Sequence, residues 1–298
     1  MSSEAFRIKL PATSANLGPG FDTLALALRL YLEVEAEAAA SFSIEASGRN
    51  QDICGALEGN LLLETYSKTL TAAGRPVTPL RLRVHNEIPL GMGCGSSAAV
   101  RLAGVSLAAH FGGLGWDGAR ILTEASRLEG HPDNAAACWL GGFTASGMDE
   151  SGVQAVSFAA PAEWRALVVM PQKPLATTAS RAVLPERYSR ADVVVNLQSV
   201  ALLTAAFAAR RADLLVHAMR DRIHQPYRAE VCPLLPALLP LAGQGGIPGV
   251  ALSGAGPAVL ALLASEEDIA GACERIREAL PRGETVEILA CELAPRRE

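Results

Sequence analysis

The chain is poor in aromatic residues, with 3 Trp, 4 Tyr and 7 Phe in 298 residues. Half of its residues are apolar all the same. The core must therefore be aliphatic, built from closely packed Ala, Leu and Val, and the chain is long enough to bury a sizeable one. This length suits two domains or one large one. A basic surplus is also lacking: the net charge of −5 argues against nucleic acid as the main partner, which calls for a basic surface. An anionic substrate has to be held by local devices, such as a helix N-terminus, a metal or a few arginines. The six cysteines (Cys54, Cys94, Cys138, Cys232, Cys273 and Cys291) form no C-x-x-C pair, and none stands in metal-site spacing with a histidine. That pattern indicates reduced, mostly buried thiols of an intracellular protein. The opening Met-Ser-Ser-Glu-Ala-Phe-Arg has no apolar signal region. Residues 231–265 carry no charge, yet Pro233, Pro236, Pro240, Pro248 and Pro257 interrupt them, too often for a lipid-exposed helix. The expectation is a cytoplasmic protein without a membrane partner. No internal repeat or low-complexity linker occurs.

What the chain does have is a Gly-rich segment, Pro89-Leu-Gly-Met-Gly-Cys-Gly-Ser-Ser-Ala-Ala99. A Gly-rich turn that runs into a helix start aims unpaired backbone N–H groups and the positive end of the helix dipole at one point. Such a point attracts phosphate, and the glycines let the backbone approach a bulky anion. Ser96 and Ser97 add hydroxyls for phosphate oxygens or for a magnesium ion. The segment has no Gly-Lys-Ser/Thr ending and no G-x-G-x-x-G in a strand–turn–helix context, so neither of the commonest phosphate motifs applies. Read alone, an ordinary Gly-rich turn also accounts for it.

Along the chain, strands are expected at Phe6–Leu10, Leu80–Val84, Ala166–Pro171, Gly249–Leu252, Ala258–Leu263 and Thr285–Glu292, with one or two more in Glu33–Glu45. Pro11–Phe21 reads as a loop, and the apolar run Asp22–Leu32 fits helix or strand. Helical spacing marks Asn60–Ala73, Ser97–His110, Trp116–Glu129, Asn134–Leu140, Val193–Arg211, Ala212–Ile223 and Glu266–Leu280. Strands and helices are mixed without regular βαβ alternation, which excludes a doubly wound sheet and gives an α+β class.

Polar residues gather where loops meet apolar elements in four blocks: Pro11-Ala-Thr-Ser-Ala-Asn-Leu-Gly-Pro-Gly-Phe-Asp22, the Gly-rich segment, Glu129-Gly-His-Pro-Asp-Asn134, and Ser253-Gly-Ala-Gly-Pro257. Any one of them alone is compatible with structural turn chemistry. Together and in this order they resemble the GHMP kinases and, within that superfamily, the homoserine kinases. The resemblance covers nearly the whole chain. The first and third blocks are its most specific parts, since the phosphate loop is common to the superfamily. Two departures remove no functional group: Cys94 before Gly-Ser-Ser, where the family usually has Leu or another residue, and Ala25 where Gly is common.

The resemblance implies an N-terminal domain of ribosomal-S5 type with a left-handed βαβ crossover (residues 1–155) and a ferredoxin-like C-terminal domain (156–298), with ATP between them. It also implies transfer of the γ-phosphoryl group to the side-chain hydroxyl of L-homoserine for threonine synthesis, and a homodimer. The cradle for ATP would be Pro89, Leu90, Gly91, Met92, Gly93, Cys94, Gly95, Ser96, Ser97, Ala98 and Ala99. Asn60 would stand near the adenine, and it also reads as a helix N-cap. Ser97 and Glu129 would hold Mg²⁺, with Glu124 as the alternative carboxylate. An amino-acid substrate needs an anion for its ammonium and cations for its carboxylate: Asp22 with Asn16 suits the first role, and His131, Arg181 and Arg228 the second. Asn134 would hold the substrate hydroxyl with support from Thr177. Asp133 is either a base or a structural cap, with the cap favoured. Gly254 and Gly256 would shape a turn that closes on the phosphate loop. Two other readings compete: a GHMP kinase for mevalonate or a sugar, and a catalytically silent binding protein on this fold.

Overall fold

The computed structural model describes residues 5–297. Its first half is a six-stranded sheet. β1 (Phe6–Asn16) and β2 (Gly20–Ala38) form a long antiparallel hairpin, in register from Phe6 opposite Ala36 to Asn16 opposite Gly20, with shifts at Pro11/Ala12 and Ala15/Asn16. β3 (Ser43–Gly48) lies parallel to β4 (Leu80–Asn86), and α1 (Gln51–Cys54) and α2 (Leu61–Ala72) form the crossover between them. α3 (Ser96–Phe111), α4 (Gly118–Glu129) and α5 (Asp133–Leu140) follow, then the hairpin β5 (Phe143–Asp149) and β6 (Gly152–Phe158). The strand order is β3-β4-β2-β5-β6, with β1 paired to β2 off that path.

The second half is an antiparallel four-stranded sheet in the order β10-β7-β9-β8. Its strands are β7 (Arg165–Pro171), β8 (Gly249–Leu252), β9 (Val259–Leu263) and β10 (Val286–Glu292). Between them run α6 (Thr177–Ala182), α7 (Arg190–Ala208), α8 (Leu215–Ala218), α9 (Gln225–Arg228), α10 (Leu234–Leu238) and α11 (Ile269–Ala279). Alternate residues of β7 enter two different cores. Ala166, Val168 and Met170 join the large cluster of the first half, while Leu167 and Val169 join a second cluster with α10 and α11. A strand buried on both faces has no polar alternation to keep. Three aromatics meet at the junction of the halves, where Phe143 stacks on Phe207 at 4.1 Å and Trp164 meets Phe207 edge-on at 5.1 Å. All six cysteines are unpaired thiols.

Most expected elements lie where periodicity put them, two differ, and several observed ones, α1 and α6 among them, were not expected. The loop expected at Pro11–Phe21 is strand as far as Asn16, because both faces of that stretch are buried, and Pro11 is accommodated at a register shift. Only Leu17–Pro19 turns. The helix expected over Ala212–Ile223 stops at Ala218. Beyond it the carboxylate of Asp221 takes the backbone N–H groups of Ile223, His224 and Gln225 at 2.9, 3.0 and 2.6 Å and starts a new turn instead. The β5–β6 hairpin has no expected counterpart: Gly147 and the polar Asp149–Gly152 turn hide its alternation.

Candidate active site

The Gly-rich segment leaves β4 and enters α3, whose N-cap is Gly95 at φ 69° with no side-chain cap. The first-turn N–H groups thus face a cavity of about 260 Å³ between the two halves. Neighbours on every side fix the segment. Thr13 N donates to Cys94 O (3.0 Å), Leu175 N to Gly91 O (3.3 Å) and Ser253 Oγ to Gly93 O (2.8 Å). Gly93 has φ 79°, and a Cβ there would fall 2.2 Å from Ser253 O. The turn at Ser253–Pro257 therefore closes on the Gly-rich segment. The backbone of Gly91, Gly93, Cys94 and Gly95 lines the cavity, as do Ser96, Ser97 and Ala98. The Cys94 side chain itself is buried, and burial pushes its thiol pKa up to about 12. It packs rather than reacts.

Four expected cradle residues stand elsewhere. Ala99 is enclosed in the core under α3. Pro89, Leu90 and Met92 line a separate cavity of about 220 Å³ with Arg49, Asn50 and Gln172, beside the Arg49–Glu287 ion pair. Asn60 is also outside the main cavity, and its amide is fully engaged. Its Oδ1 accepts from Leu62 N and Leu63 N at 3.0 and 3.3 Å, and its Nδ2 donates to Cys54 O and Ala56 O at 3.1 and 2.8 Å. An amide offers two donors and two acceptor lone pairs, so none is left for an adenine ring. Asn60 is the cap of α2, and it shapes the loop before it.

On the far side of the loop, Ser97 Oγ donates to Glu129 Oε1 at 2.5 Å. Arg101, one turn after Ser97, reaches the same oxygen at 2.7 Å. Glu124 is bound between Arg120 and Arg127, each at 2.9 Å, and does not line the cavity. A hydroxyl and a carboxylate together make a hard-oxygen donor pair of the kind Mg²⁺ accepts, so the Ser97–Glu129 pair fits the ion.

The opposite wall carries the other candidates. Asn16 Oδ1 accepts from Asp22 N at 3.0 Å and Asn16 Nδ2 donates to Gly254 O at 2.8 Å. Asp22, at φ 54°, is held in a two-pronged ion pair: Arg181 Nη2 to Oδ1 at 2.6 Å and Nη1 to Oδ2 at 3.1 Å. Arg228 is buried behind it, donating only to neutral acceptors, Ser180 O (3.3 Å) and Gly254 O (3.2 Å) among them. Both guanidinium groups lie over the ring of Phe21, at 5.4 and 5.3 Å. Thr177 begins α6 at the cavity edge. Asp133 Oδ1 takes Asn134 N at 2.7 Å and His131 Nδ1 at 2.6 Å. Burial works to lower the His131 pKa, but the hydrogen bond and charge of Asp133, with Asp22, outweigh it and raise it. Ligand atoms of Asp22, His131 and Asp133 lie within 4.8 Å of one another, yet Arg181 and His131 already balance the two carboxylates. Asn134 Oδ1 accepts from Thr13 Oγ1 at 2.7 Å, which turns the amide nitrogen toward Asp133.

The cavity thus joins an anion-binding helix start, a hard-oxygen pair and a patch of both charges within one enclosure. Thr13 and Arg101 stand behind its lining, Thr13 holding Asn134 and Arg101 holding Ser97 and Glu129, and neither had a mark of its own in the sequence. Thr13 lies within the first polar block, and the i, i+4 spacing of Arg101 from Ser97 on a helix is the signal that would have found it.

Family models described as the GHMP kinases N terminal domain and the GHMP kinases C terminal match residues 60–142 and 203–282. A homoserine kinase of Solibacter usitatus is 44% identical over 99% of this chain and 97% of its own length. A homoserine kinase of Deinococcus radiodurans is 41% identical over 87% and 85% of the two chains. Among solved structures, the homoserine kinase of Cytophaga hutchinsonii superposes with a TM-score of 0.82 at 23% identity, covering 99% of this chain and 97% of that one, a likeness of fold. The α+β architecture is that of the GHMP kinases, and the chain belongs to the homoserine kinase family.

Proposed function

We propose that the protein transfers the γ-phosphoryl group of ATP to the side-chain hydroxyl of L-homoserine, giving O-phospho-L-homoserine for threonine biosynthesis. The observation that carries this reading is the Asp22–Arg181 pair backed by Arg228, within the same cavity as the start of α3. A zwitterionic amino acid exchanges into such a pair without leaving a charge unmatched. Its ammonium takes Asp22 and its carboxylate takes Arg181, Arg228 and His131. Mevalonate or a sugar has no ammonium and would leave Asp22 without a partner in a half-buried site, which is costly.

Phosphoryl transfer needs in-line positioning and charge neutralisation more than covalent help. The N–H groups from Gly91 to Ala98 would cradle the phosphates, and Ser97 and Glu129 would hold Mg²⁺, which would neutralise phosphate charge. Arg101 must then give up its contact with Glu129. Asn134, fixed by Thr13 and Asp133, faces the substrate hydroxyl together with Thr177. Asp133 orients His131 and Asn134 through Oδ1, which accepts from both residues, the cap role that the reading favours for it.

In this reading the chain has the two domains of the family, and because the expected 155/156 boundary falls inside β6, which pairs with β5, the junction is drawn between Phe158 and Arg165. It works in the cytoplasm as a homodimer. The test is ATP turnover in a coupled assay with L-homoserine, L-serine, L-threonine, mevalonate and galactose offered singly. Turnover confined to homoserine, with phosphate on the side-chain oxygen, is expected. Turnover on mevalonate or galactose would discard the substrate residues and keep the nucleotide site. ATP binding without turnover on any of them would favour the silent binding protein.

A further inference from the structure

His224 is the N-cap of α9, and its side chain is completely buried. Its Nε2 lies 2.7 Å from Gly18 O. A carbonyl oxygen only accepts, so Nε2 carries the hydrogen. The other ring nitrogen, Nδ1, then presents a lone pair, and Arg228 Nη1 stands 3.2 Å from it. Burial pushes the His224 pKa below the ordinary histidine value and Arg228 adds to this, while Asp221, 3.6 Å from Nε2, opposes it. The neutral ring is the form that serves both contacts. Arg228 is in no ion pair among the described residues, so its orientation depends on neutral acceptors, and His224 supplies one of them.

The other end of this contact is the Leu17–Pro19 turn, which carries Asn16 and Asp22 at its flanks. A Cβ on Gly18 would fall 2.3 Å from Met219 O. Asn196 reaches the same turn from α7, donating to Pro19 O at 3.1 Å and to Asp221 Oδ1 at 3.0 Å. The ammonium-binding and carboxylate-binding sides of the cavity are therefore joined through one imidazole.

We infer that His224 is a positioning residue for the amino-acid substrate, fixing the Arg228 guanidinium against the turn that bears Asn16 and Asp22. The inference rests on the homoserine-site reading given above. His224→Gln can set an amide N–H where Nε2 met Gly18 O but leaves no atom at the Nδ1 position facing Arg228; His224→Asn can set an amide oxygen at the Nδ1 position and leaves none at Nε2. With a hydrogen bond to a charged group lost, His224→Gln should raise the KM for homoserine about ten- to hundredfold, with kcat and the KM for MgATP little changed. His224→Asn should stay much closer to the parent. In an Arg228→Met background, His224→Gln should add nothing further, as expected of a coupled pair. The inference is overturned by equal damage to the MgATP KM, by additive effects in the Arg228→Met background, or by a homoserine KM that His224→Gln leaves unmoved while Arg228→Met raises it. Should His224→Gln not fold, a His224→Asn enzyme as impaired for homoserine as Arg228→Met overturns it too. If Arg228→Met itself leaves the homoserine KM unchanged, the substrate-site reading falls and the inference with it.

Discussion

Glu129 and Glu124 stand on one helix five residues apart, and their partners separate their roles. Glu124 sits between two arginines at the surface, where ion pairs are worth little; Glu129 meets Ser97 at the helix start. Glu129→Gln should lower turnover on the order of 10²-fold, the usual worth of one electrostatic group at a transition state, and raise the Mg²⁺ concentration needed for half-maximal rate. Glu124→Gln should leave both unchanged; the reverse pattern in a Mg²⁺ titration would move the metal role to Glu124. For Asp133 the expected outcome is modest. Asp133→Asn keeps an acceptor for Asn134 N, so kcat should fall less than about tenfold, whereas a general base is worth about 10²–10⁴-fold. The His131–Asp133 pair also makes stability depend on pH. The folded-state pKa of His131 is raised, so the pair stabilises fully below the unfolded value of about 6.5 and loses its contribution as pH rises through the folded value. The Tm advantage of the parent over His131→Asn should therefore be larger at about pH 6 than at about pH 8. A constant difference in thermal melts across that window would mean the pair is not charged.

The proposed phosphate loop shows at the scale of elements why its glycines are fixed. Gly93→Ala combines a left-handed φ with a Cβ 2.2 Å from Ser253 O, and Gly113→Ala has a comparable φ of 58° with nothing within 4 Å. Both carry a backbone strain of about 1–2 kcal/mol; only the first pushes the Ser253–Pro257 turn off the loop. Gly93→Ala should lose more Tm than Gly113→Ala and raise the KM for ATP at least about tenfold, the scale of a 1.4 kcal/mol loss. Equal melts and equal KM values in the two variants would mean the contact is slack. The difference between local and distant causes also governs what the sequence reveals. α2, α3 and α11 carry their signals in their own residues, such as the Asn60 cap and the apolar spacing after Ser97, and they appear where expected. β1 overran its expected end because burial of Ala12–Asn16 comes from α3, α5 and the C-terminal turn, none of which is local. The site behaves the same way. Polar residues at the ends of apolar elements flagged Asp22, Glu129 and Asn134, but the Thr13–Asn134 and His224–Gly18 contacts span 121 and 206 residues and leave no local pattern.

For the whole molecule, α7 ties the proposed dimer to the proposed site. The helix runs 19 residues with a mean hydropathy of 1.6, sufficient by length and composition to cross a membrane. One face is committed within the protein: Asn196, Ser199, Leu203 and Phe207 are buried. The outer face leaves Val194 44% and Leu197 60% exposed, and Ala201 and Ala205 continue the stripe at helical spacing. An apolar stripe on a helix whose other face holds the substrate turn through Asn196 suits a second copy of the chain, in the self-complementary pairing of a two-fold dimer. Leu197→Glu should then shift the protein from dimer to monomer in sedimentation or light scattering. Because Asn196 holds Pro19 from the same helix, the monomer should also show a raised KM for homoserine while the KM for ATP holds. A parent protein that is monomeric at assay concentrations, or a Leu197→Glu variant that remains dimeric, would remove α7 from the interface. The proposed substrate site, whose lining residues come from this chain, would be left as described.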